Sequence, residues 1–165
     1  MSRTPGRDFV ADQGGAALGA RLRRLSAAID ADAARIYAAH GVRFEQRWFG
    51  VINQLALFGP SGVRDLAAVL GISHASVSET RQSREKAGLV TSADDPADAR
   101  RRLLTLSPSG VALVARLRPL WDAFDDAARA LDAEAGGVAA ALARLEQALA
   151  DRPLSERVRS RLEQS

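Results

Sequence analysis

A three-residue break between two helical segments constrains the fold of this chain more than any other feature of its sequence. Leu66 and Leu70 recur at helical spacing, and Gly71 can end that helix because glycine accepts the left-handed backbone conformation. Ser73 is a good N-cap for a second helix, which we expect to continue through Ala87. Only the tripeptide from Gly71 to Ser73 separates the two helices, and this is the turn length of a helix-turn-helix motif.

A short β-hairpin is predicted directly after the second helix. Its strands are Leu89–Thr91 and Leu103–Leu106, with a turn at Asp95-Pro96 between them. Three consecutive arginines lie at the predicted tip, and Asp98 is close enough to hold one of them or to cap the turn. A helix-turn-helix followed by a basic hairpin indicates a reader of duplex DNA. The alternative is a solvated hairpin edge that is kept basic to resist strand pairing.

The predicted DNA contacts come from the second helix and from the hairpin. Residues of the helix that we expect to face the major groove are Ser73, His74, Ala75, Ser76, Ser78, Glu79 and Gln82. Residues of the hairpin that we expect at the backbone or minor groove are Arg100, Arg101 and Arg102. For His74, an ordinary surface histidine is an equally good interpretation.

These segments resemble the MarR family of winged helix-turn-helix transcriptional regulators. The most specific similarity is DPADARRRLLTLSPSG (Asp95–Gly110), and LAAVLGIS, VSE and EKAGLV match the rest of the motif. Upstream, RIYAAHGVRFEQRWFGVINQLALFGP (Arg35–Pro60) is similar to a branch in which a MarR-type domain is sometimes fused to an acetyltransferase. We expect only the DNA-binding half, because 165 residues leave no room for an acetyltransferase. The resemblance implies a mostly α-helical fold with a small β-hairpin wing and flanking dimerisation helices.

Two arginines depart from the family pattern on the second helix. Arg81 and Arg84 stand where MarR-type sequences often carry aliphatic residues. The core-facing stripe would then consist of Val77, Thr80, Arg84 and Ala87. A buried unpaired arginine is costly, so we expect these side chains either to snorkel to the surface or to pair with acids. The candidate acids are Glu79, Glu85 and Asp65. Glu79 also stands where the family often has a basic residue, so the base preference does not transfer from relatives.

Apolar stripes outside the motif predict amphipathic helices at both ends of the chain. One runs from about Ala16 to Ala39, another opens at Ser107-Pro108, and two shorter ones follow Gly136-Gly137 and Pro153. The stripe residues are Leu18, Leu22, Leu25, Ile29 and Ile36, then Leu113, Leu117, Leu120, Phe124, Ala128 and Leu131, then Val138, Leu142, Leu145 and Leu149, and finally Leu154, Val158 and Leu162.

A small winged-helix core cannot bury all of these stripes, and the resemblance implies a homodimer in which the terminal helices interleave. A monomer whose terminal helices pack together is the alternative. The predicted segments are a flexible N-terminus (1–14), N-terminal helices for dimerisation and a possible effector cleft (15–60), the winged helix-turn-helix (61–107) and C-terminal dimerisation helices (108–165).

The effector cleft is predicted from a group of aromatic and cationic residues upstream of the motif. They are Tyr37, His40, Arg43, Arg47, Trp48 and Phe49. Family members commonly form a cleft between the dimer helices and the DNA-binding lobe here, and aromatic walls with cations suit a small anionic aromatic effector. The alternative is that Trp48, Phe49 and Ile52 are ordinary core and that the arginines are surface residues.

Composition excludes several other classes of function. Cysteine is absent, which removes disulfides, thiolate metal sites and cysteine nucleophiles. His40 and His74 are the only histidines, and no glycine-rich phosphate loop precedes a Lys-Ser or Lys-Thr pair, so we expect no enzyme, metal or cofactor. The N-terminus, MSRTPGRDFVADQGG, lacks a signal-peptide core, and no apolar run has membrane-spanning length, which predicts a cytoplasmic location.

The charge of the chain favours DNA only weakly. The net charge is +3, although every basic residue except Lys86 is an arginine, the better residue for phosphate and guanine contacts. A GC-rich genome produces the same bias. The sequence therefore predicts a dimeric MarR-type regulator that binds a pseudo-palindromic operator on double-stranded DNA. The alternative is a winged-helix protein-interaction module whose wing arginines bind an acidic surface.

Overall fold

Helices make up most of the chain, and one small antiparallel sheet lies among them. The computed structural model describes residues 8–95 and 98–164, and the chain divides after Val114 into two compact units. The helices before the hairpin are α1 (Phe9–Asp12), α2 (Leu18–Ala39), α3 (Phe49–Phe58), α4 (Val63–Leu70) and α5 (His74–Lys86). The strands are β1 (Ser61–Gly62), β2 (Val90–Asp95) and β3 (Asp98–Leu106). The helices after the hairpin are α6 (Pro108–Glu134), α7 (Val138–Asp151) and α8 (Leu154–Leu162). The predicted fold class is confirmed.

The N-terminal region contains more local structure than the sequence predicts. Residues 1–7 of the predicted flexible terminus lie outside the described residues, and α1 lies in the remainder of it. A 3₁₀ turn at Gly14–Ala17 precedes α2, which begins two residues later than predicted. A second 3₁₀ turn, at Gln46–Trp48, leads into α3.

The turn between α4 and α5 has the predicted geometry. Gly71 has a φ of 63°, in the left-handed region, and it ends α4. Ser73 has extended backbone angles, and its Oγ accepts a hydrogen bond from the Ser76 amide at 3.1 Å, so it is the N-cap of α5. The helix ends one residue before the predicted Ala87. These local signals in the sequence were therefore sufficient to define the helix-turn-helix.

The hairpin strands are longer than the sequence predicts, and this corrects the placement of the arginines. Arg102 lies directly opposite Asp94 in the antiparallel pairing of β2 with β3, and its Nε is 3.8 Å from Asp94 Oδ1. Opposite charges that face each other across two strands favour their pairing. Arg101 and Arg102 consequently lie on β3 rather than in the turn. The prediction began β3 at Leu103, because the apolar pattern does not reveal a strand that charged cross-strand pairs extend.

A third strand, β1, is absent from the sequence prediction. Ser61 and Gly62 pair with Leu104 and Leu103, so the strand order is β1-β3-β2 and β3 lies in the centre. Two residues are too few to show an alternating apolar pattern. Because β1 leads directly into α4, this pairing attaches the start of the helix-turn-helix to the wing.

The core of the first unit has an aromatic part and an aliphatic part. The ring centroids of Tyr37 and Phe44 are 4.9 Å apart, and those of Phe44 and Trp48 are 5.5 Å apart. The aliphatic part contains the fully buried side chains of α4, α5 and β3, namely Leu66, Val77 and Leu104. Full burial of such a side chain stabilises the fold by about 1.5–3 kcal/mol. These three residues therefore anchor both helices of the motif and the sheet in one core.

The second unit consists of the remainder of α6 with α7 and α8. Gly136-Gly137, both with positive φ, connect α6 to α7. At the C-terminal end of α7 the Ala148 carbonyl accepts a hydrogen bond from the Arg152 amide at 3.2 Å and a second one from the Arg157 guanidinium at 2.6 Å. At the other end of α6, Ser107 Oγ accepts from the Gly110 amide at 3.0 Å, so the predicted cap before Pro108 is present.

The predicted apolar stripes are largely exposed within one protomer. On α2 the exposed side chains range from 37% for Leu22 and Ile36 to 55% for Leu25 and Ile29. The stripe of α6 is divided, because Leu117 is buried whereas Leu131 is exposed. Of the predicted stripe residues on α7 and α8, the exposed ones are Val138, Leu142, Leu149, Leu154, Val158 and Leu162. No helix of the described chain is long and apolar enough to cross a membrane.

Gly110 provides a test of the close approach between α6 and the wing. A Cβ atom at this position would lie 2.1 Å from the Leu89 carbonyl oxygen, which is a backbone atom. We expect Gly110→Ala to lower the free energy of unfolding by about 1–3 kcal/mol, because α6 must shift. The helix-propensity gain of alanine, about 1 kcal/mol, opposes this loss. Urea denaturation measures the difference, and Val111→Ala at an exposed neighbouring position is the control. A Gly110→Ala chain as stable as the parent would contradict the observed packing.

Candidate nucleic-acid interface

The helix α5 exposes the face that the sequence predicts for base reading. Val77 and Thr80 are buried on the opposite side. Of the predicted groove residues, the exposed ones are Ser73, His74, Ala75, Ser76, Glu79 and Gln82, and Ser78 is half-buried. A helix with its side chains is about 10–12 Å wide, and the major groove of B-DNA is about 12 Å wide. The outer face of α5 therefore has the size and polarity to enter that groove.

The inner face of α5 differs at one position from the predicted stripe. Val77 and Thr80 are buried as expected, but Ala87 is exposed because it follows the last helical residue as the C-cap. The side chain of Arg84, which completes the predicted stripe, lies outside the described part of the chain.

Ser73 and Ser76 have a structural role in addition to their predicted contact with DNA. Ser73 Oγ accepts from the Ser76 amide and lies 2.8 Å from Ser76 Oγ. An N-cap of this kind contributes about 1 kcal/mol to stability. A substitution at Ser73 consequently changes the stability of α5 as well as any contact that the hydroxyl makes.

A cationic trough runs between α5 and the wing, and it is termed the arginine trough below. Its volume is about 720 Å³. Its lining residues are His74, Ser78 and Arg81 on α5, Gly62, Val63, Arg64 and Asp65 at the start of α4, and Arg101 and Arg102 on β3. The lining thus contains more arginines than carboxylates, and an excess of positive charge in a concave surface strengthens the field that attracts anions.

Asp65 holds the wing arginine Arg101 against the start of α4. Arg101 Nη2 lies 2.6 Å from Asp65 Oδ2, and Arg101 Nε lies 3.9 Å from Asp95 Oδ2. Gly62 makes room for this ion pair, because a Cβ there would lie 2.9 Å from Asp65 Oδ2 and 3.2 Å from Arg101 Nη2. The sequence analysis considered Asp65 only as a partner for Arg81 or Arg84. Its actual partner is 36 residues away, and no local pattern reveals a pairing at that distance.

The remaining wing residues are only partly described. Arg102 Nη2 donates to the Ser92 carbonyl at 3.3 Å, in addition to its ion pair with Asp94. The side chains of Arg100 and Asp98 lie outside the described part of the chain. The predicted DNA contact of Arg100 and the predicted wing-stabilising role of Asp98 therefore stay predictions.

Arg81 pairs with one of the acids that the sequence proposed for it. Its Nη1 lies 3.8 Å from Glu85 Oε1, one helical turn further along α5, and both side chains are half-buried. The sequence analysis did not include Arg81 or Arg64 among the DNA-binding residues. For Arg81 a signal existed, because His74, Ser78 and Arg81 recur at the spacing of one helix face.

Residues 40–101 match the model of the MarR family. The match covers the helix-turn-helix and the first strand of the wing, so this part of the chain is similar to the MarR family. Comparison with curated protein sequences finds no match.

Solved structures of MarR-family regulators share the fold. The S. aureus MepR–DNA complex superposes with a TM-score of 0.65 at 18% identity, over 79% of this chain and 97% of MepR. NMB1585, a MarR family regulator from Neisseria meningitidis, gives 0.59 at 22% identity, over 81% and 92% of the two chains. BpsR from Bordetella bronchiseptica, whose DNA binding is regulated by 6-hydroxynicotinic acid, gives 0.58 at 25% identity, again over 81% and 92%. This chain therefore shares the fold of these structures over most of its length.

The predicted effector residues separate into a core group and a surface group in the first unit. Tyr37 and Trp48 are buried, and the Tyr37 hydroxyl donates to Gln46 Oε1 at 2.9 Å. Phe49 is half-buried, and the exposed members are His40, Arg43 and Arg47. Arg47 Nε donates to Glu45 Oε2 at 2.6 Å. Within one protomer the aromatic rings thus pack as core, which is the alternative that the sequence left open, and the effector cleft stays a prediction.

The exposure of the Asp65–Arg101 pair predicts how much this ion pair stabilises the first unit. The two side chains are 56% and 49% exposed, so solvent screens their attraction. We expect Asp65→Asn to change the free energy of unfolding by no more than about 1 kcal/mol, while the Arg101 side chain becomes more mobile. Urea denaturation and ¹⁵N relaxation of the Arg101 Nε–H group measure the two effects. Asp125→Asn, which removes an exposed ion pair with Arg129 on α6, is the control. A loss of several kcal/mol would contradict this estimate.

Proposed function

We propose that this chain is a dimeric transcriptional regulator that binds double-stranded DNA at a pseudo-palindromic operator. The observation that carries the proposal is the exposed polar face of α5 beside the arginine trough. With α5 in the major groove, the wing lies over the adjacent backbone and minor groove. The arginines on β3 then meet phosphates, and the outer residues of α5 meet base edges.

The roles within this interface follow from position. Glu79 and Gln82 lie on the outer face of α5, where they reach the donor and acceptor groups of bases. Arg101 and Arg102 are the wing cations, and on binding they exchange carboxylate partners for phosphates. The MepR–DNA complex supports this arrangement by showing that a protein of the same fold binds DNA.

The exposed apolar stripes support the homodimer. On α2, Leu25 and Ile29 are each 55% exposed, and further large apolar residues are exposed on α7 and α8. A second copy of the chain is the partner that a two-fold interface would bring to these faces. Two copies of α5 about 34–36 Å apart then read two half-sites, which is why the operator is expected to be pseudo-palindromic.

Regulation by a small molecule is a separate part of the proposal. BpsR is regulated by 6-hydroxynicotinic acid, and this chain has cationic Arg43 and Arg47 on the surface near its aromatic core. An anionic aromatic effector and a cytoplasmic location both stay predictions.

Wing and helix substitutions are expected to give different DNA-binding phenotypes. Arg101→Ala with Arg102→Ala should weaken binding to every duplex and flatten the log-log salt slope by about 0.9 for each lost phosphate contact. Gln82→Ala should relax preference at one symmetric pair of positions, where a bidentate contact discriminates by about 1–3 kcal/mol. Gel-shift titrations against an operator selected from genomic fragments and a scrambled duplex measure both. An unchanged affinity in the double-arginine variant would favour the protein-interaction alternative.

The oligomeric state is a separate prediction. We expect light scattering at micromolar concentration to give twice the chain mass of 17.6 kDa. Leu22→Asp with Leu25→Asp should unfold the protein rather than give a stable monomer, because obligate dimers often have no folded protomer. A monomer that binds the operator with full affinity would refute the dimer.

A further inference from the structure

We infer that Arg81 binds a phosphate of the operator strand that passes between α5 and the wing. The inference rests on the proposed function and assigns a DNA contact to a residue that departs from the family pattern. Arg81 lies on the flank of α5 that faces the wing, in line with His74 and Ser78. The base-reading residues Glu79 and Gln82 lie on other parts of the helix surface.

The position of the arginine trough indicates that Arg81 contacts a phosphate rather than a base. A winged helix that places α5 in the major groove and its hairpin at the neighbouring minor groove straddles the strand that separates the two grooves. The trough lies between these two elements, with Arg81 on one wall and Arg101 on the other. The ligand that reaches this space is therefore the phosphodiester backbone, whereas base edges lie in front of the outer face of α5.

The guanidinium of Arg81 retains donors for such a ligand. Its Nη1 is 3.8 Å from Glu85 Oε1, beyond hydrogen-bond distance, so Glu85 does not occupy the donors at the end of the guanidinium. Its Nε is buried without a hydrogen-bond partner among the described residues and is not one of the donors that we assign to the phosphate. Arginine carries five N–H donors in a planar fork that fits two oxygens of a phosphate. By contrast, Arg101 already donates to Asp65 at 2.6 Å. A phosphate in the trough would supply the acceptors that Glu85 does not.

A structural role and a phosphate-binding role for Arg81 predict different effects of its replacement on the melting temperature. Its side chain is only 29% exposed, and replacement of a loosely paired, half-buried charge by an apolar side chain is often neutral or stabilising. A residue kept for core packing or for its ion pair would lower the melting temperature when replaced. A phosphate-binding residue lowers DNA affinity and leaves the melting temperature unchanged or higher.

The test compares Arg81→Met with Arg129→Met, which removes the same charge from another helical ion pair at i and i+4. Binding to the operator and to a scrambled duplex is titrated at several salt concentrations, and the melting temperature is measured in parallel. For Arg81→Met we expect affinity for both duplexes to fall about tenfold at low salt. The salt slope should become shallower by about 0.9 per lost contact, and the preference for the operator should remain. Arg129→Met should bind as the parent does.

Two further variants keep the inference testable if Arg81→Met is poorly folded. Glu85→Gln leaves Arg81 in place and removes its competing carboxylate, so both duplexes should bind more tightly. Arg81→Lys should recover the salt slope of the parent while losing part of the affinity, because lysine keeps the charge but not the planar fork.

The outcomes that overturn the inference are distinct. If Arg81→Met binds DNA like the parent at every salt concentration, Arg81 makes no contact with a phosphate. If the variant loses the preference for the operator while its salt slope is unchanged, Arg81 reads a base instead. A lower melting temperature accompanied by tighter or unchanged DNA binding in that variant indicates a structural residue. If the parent chain binds neither duplex, the proposed function itself is overturned, and this inference falls with it.

Discussion

The central position of β3 is the constraint on which the candidate interface depends. β1 leads into α4 and β2 follows α5, and β3 pairs with both strands, so one hydrogen-bonded ladder sets the distance between the walls of the arginine trough. The same elements are also held together by their fully buried side chains, Leu66, Val77 and Leu104. The exposed ion pair between Arg101 and Asp65 adds at most about 1 kcal/mol to this framework. The trough can therefore exchange its carboxylate partners for phosphates without loosening the fold.

The parts of this structure that the sequence predicts are those with local causes. Gly71 and Ser73 define the turn of the helix-turn-helix through their own backbone and side-chain chemistry, and apolar spacing defines the long helices. The sequence does not predict β1 or the Asp65–Arg101 pair, because both depend on contacts between segments distant in the chain. It also places Arg101 and Arg102 in a turn, since charged cross-strand pairs carry no apolar pattern. The predicted secondary structure around the candidate site was consequently more accurate for α5 than for the wing.

The charges of the interface explain how a chain with a net charge of only +3 can present a cationic surface. Arg101, Arg102 and Arg81 each have an acidic neighbour, which keeps the total charge low. Their partners are exposed or half-buried carboxylates, so each arginine is oriented rather than neutralised in a low-dielectric interior. A phosphate backbone offers more acceptor oxygens at higher charge density than one aspartate. Pairing of this kind would orient the guanidinium groups for the proposed contact with DNA.

The helix α2 connects the proposed dimer to the fold of the single chain. Ala33 and Tyr37 on this helix are buried in the protomer, whereas Leu25 and Ile29 are exposed. One apolar face of α2 packs against the core of the protomer. The other apolar face is exposed and requires a partner from outside the protomer. If that partner is a second copy, the same two-fold axis relates the two α5 helices and the two half-sites of the operator. Folding, dimerisation and operator binding are then coupled equilibria. Both the stability of the chain and its operator affinity consequently depend on the concentration of the chain.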